Sequence, residues 1–287
     1  MLSRIKGLGL RCLIAAGAAL LVAAPVARAE DEKSAYTYSF GTDFTSHFIS
    51  YGADVWGGGD NMNPFGDHAT NFYYGTVNCA VNDWLSGYVN LWSDKNNNAV
   101  SGLGGQIQEI DVNAGLNFTV GKFGVTVANG FWNYAGGTEK VVDVTPFYGD
   151  AGLYDKWVAG FALNPSVNFH YRYDGVNAGQ KTGLAVVPAI KPTYTFLNDS
   201  KYPLTVAAPI SVGIFENGFQ GGHGNYGYTS AGVSISVPMK FIPVKYGLWT
   251  VSGSAIYYNT PNEAGDALPG NPSSDFVVTT LSLGVAM

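Results

Sequence analysis

Asn168, His170 and Arg172 alternate with Phe169 and Tyr171 along one short segment, and Glu109, Asp111, Asn113 and Asn117 follow the same spacing earlier in the chain. A period of two places each set on one face of a strand. Such a face can hold an ion or a polar solute by charge and hydrogen bonding. With a nucleophile beside it, the same face could move protons. Asp43 and Lys191 are further charged residues on the polar side of alternating segments. His47 with Asp43, and His170 with Asp174, are within strand reach as acid–base pairs, yet no nucleophile is placed beside either.

The motifs of known chemistries are missing. The chain has no P-loop, no H-E-x-x-H and no G-x-S-x-G. Residues 222–227 match G-x-G-x-x-G by letter, but a loop precedes them and an alternating strand follows, so they read as an outer loop rather than a nucleotide site. His47, His68, His170 and His223 lack metal-ligand spacing. No catalytic residue, cofactor or metal is expected.

The elements that must position these residues are strands. From Ile110 to Phe118 every second residue is apolar, Gly121-Lys122 supplies a tight turn, and Phe123 to Tyr134 runs back. Similar segments recur at 36–44, 72–81, 85–92, 154–163, 167–173, 184–196, 204–214, 229–239, 248–258 and 274–287. Short connections at Asn82, Gly121, Asn164, Asn198 and Lys240–Tyr246 alternate with long ones, among them Ser46–His68 and Gly136–Leu153. These features define an all-β chain: a closed antiparallel up-and-down transmembrane β-barrel of about twelve strands, with ten to fourteen inside the same pattern. Pro188, Pro192, Pro209 and Pro238 fall within these segments, where bulges or strand ends are expected. Tyr36, Trp84, Trp92, Trp132, Tyr134, Tyr173, Tyr246 and Trp249 lie near strand ends, as interfacial girdles require.

The N-terminus supplies the compartment. Arg4, Lys6 and Arg11 precede an apolar run to Val26, and Ala27-Arg28-Ala29 has the small-x-small pattern of a cleaved signal peptide. The expected division is 1–29 signal and 30–287 barrel domain. Past Ala29 lie eleven of the 15 basic residues and all 21 acidic ones, a formal charge of −10 that excludes nucleic acid as a partner. Cys79 would then stand alone, with no disulfide. Only 13% of the chain is charged, against about 25% in ordinary domains, and 14% is aromatic.

In the last segment Val277, Thr279, Leu281, Leu283, Val285 and Met287 form one register ending at the last residue. This resembles the sorting signal of bacterial outer-membrane barrels, with Met in place of the usual terminal Phe or Trp. The chain past the signal resembles the small porin-like outer-membrane β-barrel families of Gram-negative bacteria. The resemblance implies an outer-membrane location and partners in the lipid bilayer, lipopolysaccharide and the outer-membrane assembly machinery, which would read the C-terminal strand. It covers architecture and carries over no site residue. The expected function is a porin-like channel for passive diffusion of small hydrophilic solutes, as monomer or oligomer. Asp43, Glu109, Asp111, Asn113, Asn117, Asn168, His170, Arg172 and Lys191 would face its lumen. A non-conducting structural or adhesive barrel is the alternative, and a lipid-modifying barrel enzyme a more distant one.

Overall fold

The computed structural model describes residues 35–55, 62–66, 69–97, 103–175, 180–197, 200, 202–220, 225–260 and 275–287. Residues 1–29, expected to be a signal peptide, together with His68 and His223 lie outside the described residues. The described strands are β1 (Tyr36–Thr45), β2 (Ile49–Ser50), β3 (Ala53–Asp54), β4 (Thr70–Ala80), β5 (Leu85–Asn96), β6 (Ile107–Val120), β7 (Phe123–Tyr134) and β8 (Gly137–Tyr148). They continue as β9 (Phe161–Ala162), β10 (Ser166–Asp174), β11 (Gly183–Ile190), β12 (Thr193–Phe196), β13 (Leu204–Ala207), β14 (Ile210–Phe215), β15 (Tyr226–Pro238), β16 (Leu248–Asn259) and β17 (Asp275–Ala286).

All but β2 and β3 belong to one antiparallel sheet in which sequence neighbours pair. The pairs β9/β10, β11/β12 and β13/β14 are each one stave interrupted once, giving twelve staves. β1 pairs with β17 from Ser39↔Ala286 to Thr45↔Thr280, so the sheet closes on itself. The fold is a closed twelve-stranded antiparallel β-barrel. Closure leaves no free sheet edge, which is how an all-β wall satisfies its backbone without water. With an even number of staves, Tyr36 and Ala286 share one rim, called here the near rim; the other is the far rim.

Proline explains the three interruptions. Pro165, Pro192 and Pro209 each sit in a break between half-staves, where a missing N–H breaks no ladder bond. Bonds from the Lys191 N–H to the Leu163 carbonyl and from the Ala208 N–H to the Pro192 carbonyl carry the sheet across. Pro238 ends β15. Pro188 lies inside β11, paired with Val167 on one side, while on its other side the ladder to β14 skips from Val186 to Ala189.

The stretch 136–163 departs from expectation. Gly137–Tyr148 is a full strand, and Ala135-Gly136 is a tight turn at the far rim, so the long outer connection expected at Gly136–Leu153 does not exist. The segment expected to be a strand at Tyr154–Leu163 is mostly turns on the near rim, and only Phe161–Ala162 is extended. Val141 and Phe147 stand on the inward face of β8 beside Glu139, Asp143 and Thr145, blurring the alternation that marks the other strands. The number of staves is unchanged because one strand replaces the other.

That near-rim connection is fastened by Asp150, whose buried carboxylate accepts the N–H groups of Leu163 at 2.8 Å and Asn164 at 2.9 Å. Burial alone would raise its pKa, but these backbone donors outweigh it and hold the carboxyl below its ordinary value. A depressed folded pKa contributes stability that is present above the unfolded value of about 4 and is lost as pH falls through the folded one. Asp150→Ala is therefore expected to destabilise the barrel by roughly 1–2 kcal/mol at neutral pH. In urea unfolding the gap between the two proteins should narrow below about pH 4; a gap that persists unchanged in acid would remove this role.

Cys79 is disulfide-bonded, whereas the expectation of a lone cysteine was made for residues 30–287 alone. Cys12 lies outside the described residues.

Candidate channel lumen

The registers assign every stave an inner and an outer face. Asp43 and Gly41 share a face with Tyr74, whose hydroxyl donates to Asp43 at 3.2 Å. Gly41 leaves room for this ring: a Cβ there would stand 2.4 Å from it, so Tyr74 would have to shift. Following the pairs around the sheet, the same face carries Asn90, Trp92 and Asp94 of β5, then Glu109, Asp111, Asn113 and Asn117 of β6. It continues through Trp132 of β7, Glu139 and Asp143 of β8, and Asn168, His170 and Arg172 of β10. The nine sequence-selected residues thus share one register face of the wall, which Lys191 adjoins just past the end of β11. The opposite face carries Phe40, Leu91, Leu116, Phe131, Phe169, Ile214, Val233 and Leu281, each at least 37% exposed.

The two halves of the lumen differ. In the far half Thr45, His47, Thr70, Asp94, Asp111, Glu139, His170, Arg172 and Gln220 are all buried. The cause is a plug made from two far-rim connections. The first is the hairpin β2–β3, whose tip Tyr51-Gly52 takes positive φ angles of 47° and 78° and turns the Tyr51 ring into the barrel. Its base is fixed by a buried hydrogen bond between His47 Nδ1 and the Asp54 carboxylate at 2.7 Å. The second is the connection after β14, which brings in Phe219 and Gln220. The Gln220 side-chain amide donates to the carbonyls of Ser50 at 2.9 Å and Tyr51 at 3.3 Å, tying the two connections together.

Tyr51 packs against His170 at 4.2 Å, Phe219 at 5.7 Å, Phe215 at 6.3 Å and Trp132 at 6.5 Å between ring centroids. Beneath this aromatic cluster Arg172 is an anchor. Its Nε donates to Glu139 at 2.5 Å, Nη1 donates to the Phe219 carbonyl at 2.7 Å, and the guanidinium lies 4.1 Å over the Phe219 ring. A buried pair of this kind holds together when both charges find additional hydrogen bonds. His170 Nδ1 meets Asp143 at 3.0 Å, while among the described residues its buried Nε2 has no hydrogen-bond partner.

The near half is less deeply buried. Asn113 bridges Asn90 and Trp132, and Asn117 bridges Ser86 and Thr126, all only part-buried. Asn168 donates to Asp143 at 3.1 Å and Thr145 at 3.0 Å. On the opposite wall a half-open cavity of about 230 Å³ is lined by Lys191, two threonines and a bank of serines.

Arg172 is thus a paired, buried anchor instead of a charge facing open water. Sequence reading missed Tyr51, Trp132, Glu139, Asp143 and Phe219. The alternation of Glu139, Val141, Asp143 and Thr145 carried a signal for the two acids, but nothing local marks Tyr51 or Phe219 as inward-folding. Trp92, Trp132 and Tyr134, assigned above to interfacial girdles, are interior. Trp92 packs on Phe72 at 5.0 Å, and the Tyr134 hydroxyl donates to the Gly175 carbonyl at 2.6 Å. Their odd–even register, not their nearness to a strand end, decides the side.

No protein-family model and no curated protein matches this sequence. Among solved structures the chain is similar to the NanC porin, at 9% identity and a TM-score of 0.45, covering 87% of this chain and 98% of that one. It is also similar to an outer membrane channel from Pseudomonas putida, at 12% identity and TM-score 0.48 over 91% and 100% of the two chains. LpxR from Salmonella typhimurium is similar at 8% identity and TM-score 0.46, over 87% and 99%. Likeness at this level assigns neither a family nor an activity.

Proposed function

We propose that this chain is an outer-membrane channel for passive passage of small hydrophilic solutes, with its far mouth closed by its own connections in the state described. The observation that carries the reading is the inversion of polarity. A closed barrel with Phe, Leu, Ile and Val exposed all round its outer wall, and Asn, Ser, Thr and charged groups along its inner wall, fits a lipid solvent outside and water within. A soluble barrel would spread apolar patches of that size only at an interface. On this reading the near rim is periplasmic and the far rim faces outward, where lipopolysaccharide lies. The terminal strand β17 is what the outer-membrane assembly machinery would engage, and residues 1–29 are the export signal. No catalytic step is part of the proposal.

The plug favours a second reading, a structural or adhesive barrel that never conducts. Planar-bilayer recordings on folded protein separate the two. Discrete conductance steps, more frequent when loop contacts are weakened, are expected for the channel; folded protein that gives none under any condition would leave the structural reading.

A further inference from the structure

The near-half cavity has an unusual lining. Its walls come from strands whose registers stack hydroxyls side by side: Thr205 pairs with Ser236, Ser236 with Ser252, and Ser252 with Ser282. One step towards the far rim a second row runs from Ser234 to Ser254 and on to Thr280. Side chains on one face of paired strands lie about 5 Å apart, so the rows form a continuous hydroxyl surface. Among the described residues, the hydroxyls of Ser234, Ser236, Ser252, Ser254 and Ser282 make no hydrogen bond to the protein, although each can donate once and accept twice.

Charge adds a second, independent feature. Among the described residues, the only ionisable group lining the cavity is Lys191. Among the described residues no carboxylate lies within 4.0 Å of its ammonium, unlike Arg172 and Lys140, which are paired. Lys191 reaches this place because Pro192 ends β11 and the stave restarts at Thr193. A cavity with one unpaired cation and no acid, in a chain with net charge −6, selects against cations and for a single negative charge. At about 230 Å³ it lies below the usual 300–1,000 Å³ of ligand pockets, which limits the guest to a small molecule.

We infer that this cavity is a binding subsite for a small hydroxylated monoanion of the sugar-acid class, with the carboxylate on Lys191 and the hydroxyls on the serine rows. The inference rests on the reading of the lumen as a solute path and adds the class of solute. A ligand with only a carboxylate leaves the serines to water, and a neutral sugar leaves the ammonium to water. Both features are met only by a molecule that has both.

The test is equilibrium titration calorimetry at low ionic strength, on the folded full-length barrel in a detergent without a sugar headgroup, so that it does not depend on conduction. Gluconate is expected to bind roughly tenfold more tightly than glucose or acetate, since a hydrogen bond to a charged group contributes about that factor. Lys191→Gln should bring gluconate down to the level of glucose, Lys191→Arg should retain most of the preference, and Lys140→Gln, on the outer face, should change nothing. Ser252→Ala with Ser254→Ala should weaken gluconate and leave acetate as it was. Heat-modifiable migration verifies folding of each variant. Equal binding of gluconate and glucose, or full gluconate affinity in Lys191→Gln, overturns the subsite. Binding without conductance would keep the subsite and remove the channel; conductance without a gluconate preference would do the reverse.

Discussion

Arg172→Ala is expected to open the far mouth, raising the frequency and size of conductance steps several-fold over the parent barrel. The guanidinium is 2% exposed and bonds at once to Glu139 on the wall and to the Phe219 carbonyl on the plug. Removing one member of a buried ion pair leaves the other desolvated and uncompensated, at a cost of about 3–5 kcal/mol. Here the stranded group is Glu139, itself 3% exposed. The cheapest relief is to admit water, and water enters by displacing the Phe219 connection. With Phe219 gone, Tyr51 loses one face of its aromatic cage, and the Gln220 bonds to Ser50 and Tyr51 lose their anchor. Arg172→Lys should open the mouth partly, because a single ammonium cannot reproduce the planar fork that spans wall and plug. The strand bonds of β10 are untouched, so the barrel should still migrate as folded. Unchanged conductance in Arg172→Ala would mean that the plug does not control passage.

The second large effect tests the orientation of the wall itself. Val112 and Asn113 are neighbours in β6, half-way along the stave. Val112 is paired with Leu91 and Phe131 on the outer face, and Asn113 with Asn90 and Gly130 on the inner one. Val112→Lys is expected to destabilise the barrel by roughly 2–4 kcal/mol when unfolding is followed in urea from lipid vesicles, the penalty for a cation near the bilayer midplane. Asn113→Lys places the same charge one residue later, in the wet lumen. It should cost little and instead shift ion selectivity towards anions. Two variants that are equally stable would mean that water bathes both faces, and the membrane assignment would fail. A large loss for Asn113→Lys alone would mean that the lumen is packed dry at that level.

Much of the fold was legible in the chain because the decisive signal is local. In β6 the alternation from Ile110 to Phe118 is a property of adjacent residues, and it survives in any environment that offers an apolar side and a polar side. The paired polar residues of β10 were legible for the same reason: Asn168, His170 and Arg172 had to share a face once the strand existed. Strand β8 escaped because its inner face mixes Glu139 and Asp143 with Val141 and Phe147, and Pro146 discourages a strand assignment. Val141 belongs inside because the barrel's far half is packed with protein.

Sequence alone determined the alternating β-wall and which residues of a strand share a face, since these follow from a two-residue repeat, while it left the stave number between ten and fourteen. Tertiary structure decided which of those residues meet water. Lys191 is isolated in a hydroxyl-lined cavity while Arg172 is buried against Glu139 and Phe219, although both are basic residues in the polar register. The difference comes from connections that fold back into one half of the barrel, from residues 49–54 and 216–220, more than a hundred and fifty positions apart in the chain. Periodicity has no reach over that separation; closure of the barrel brings the two together.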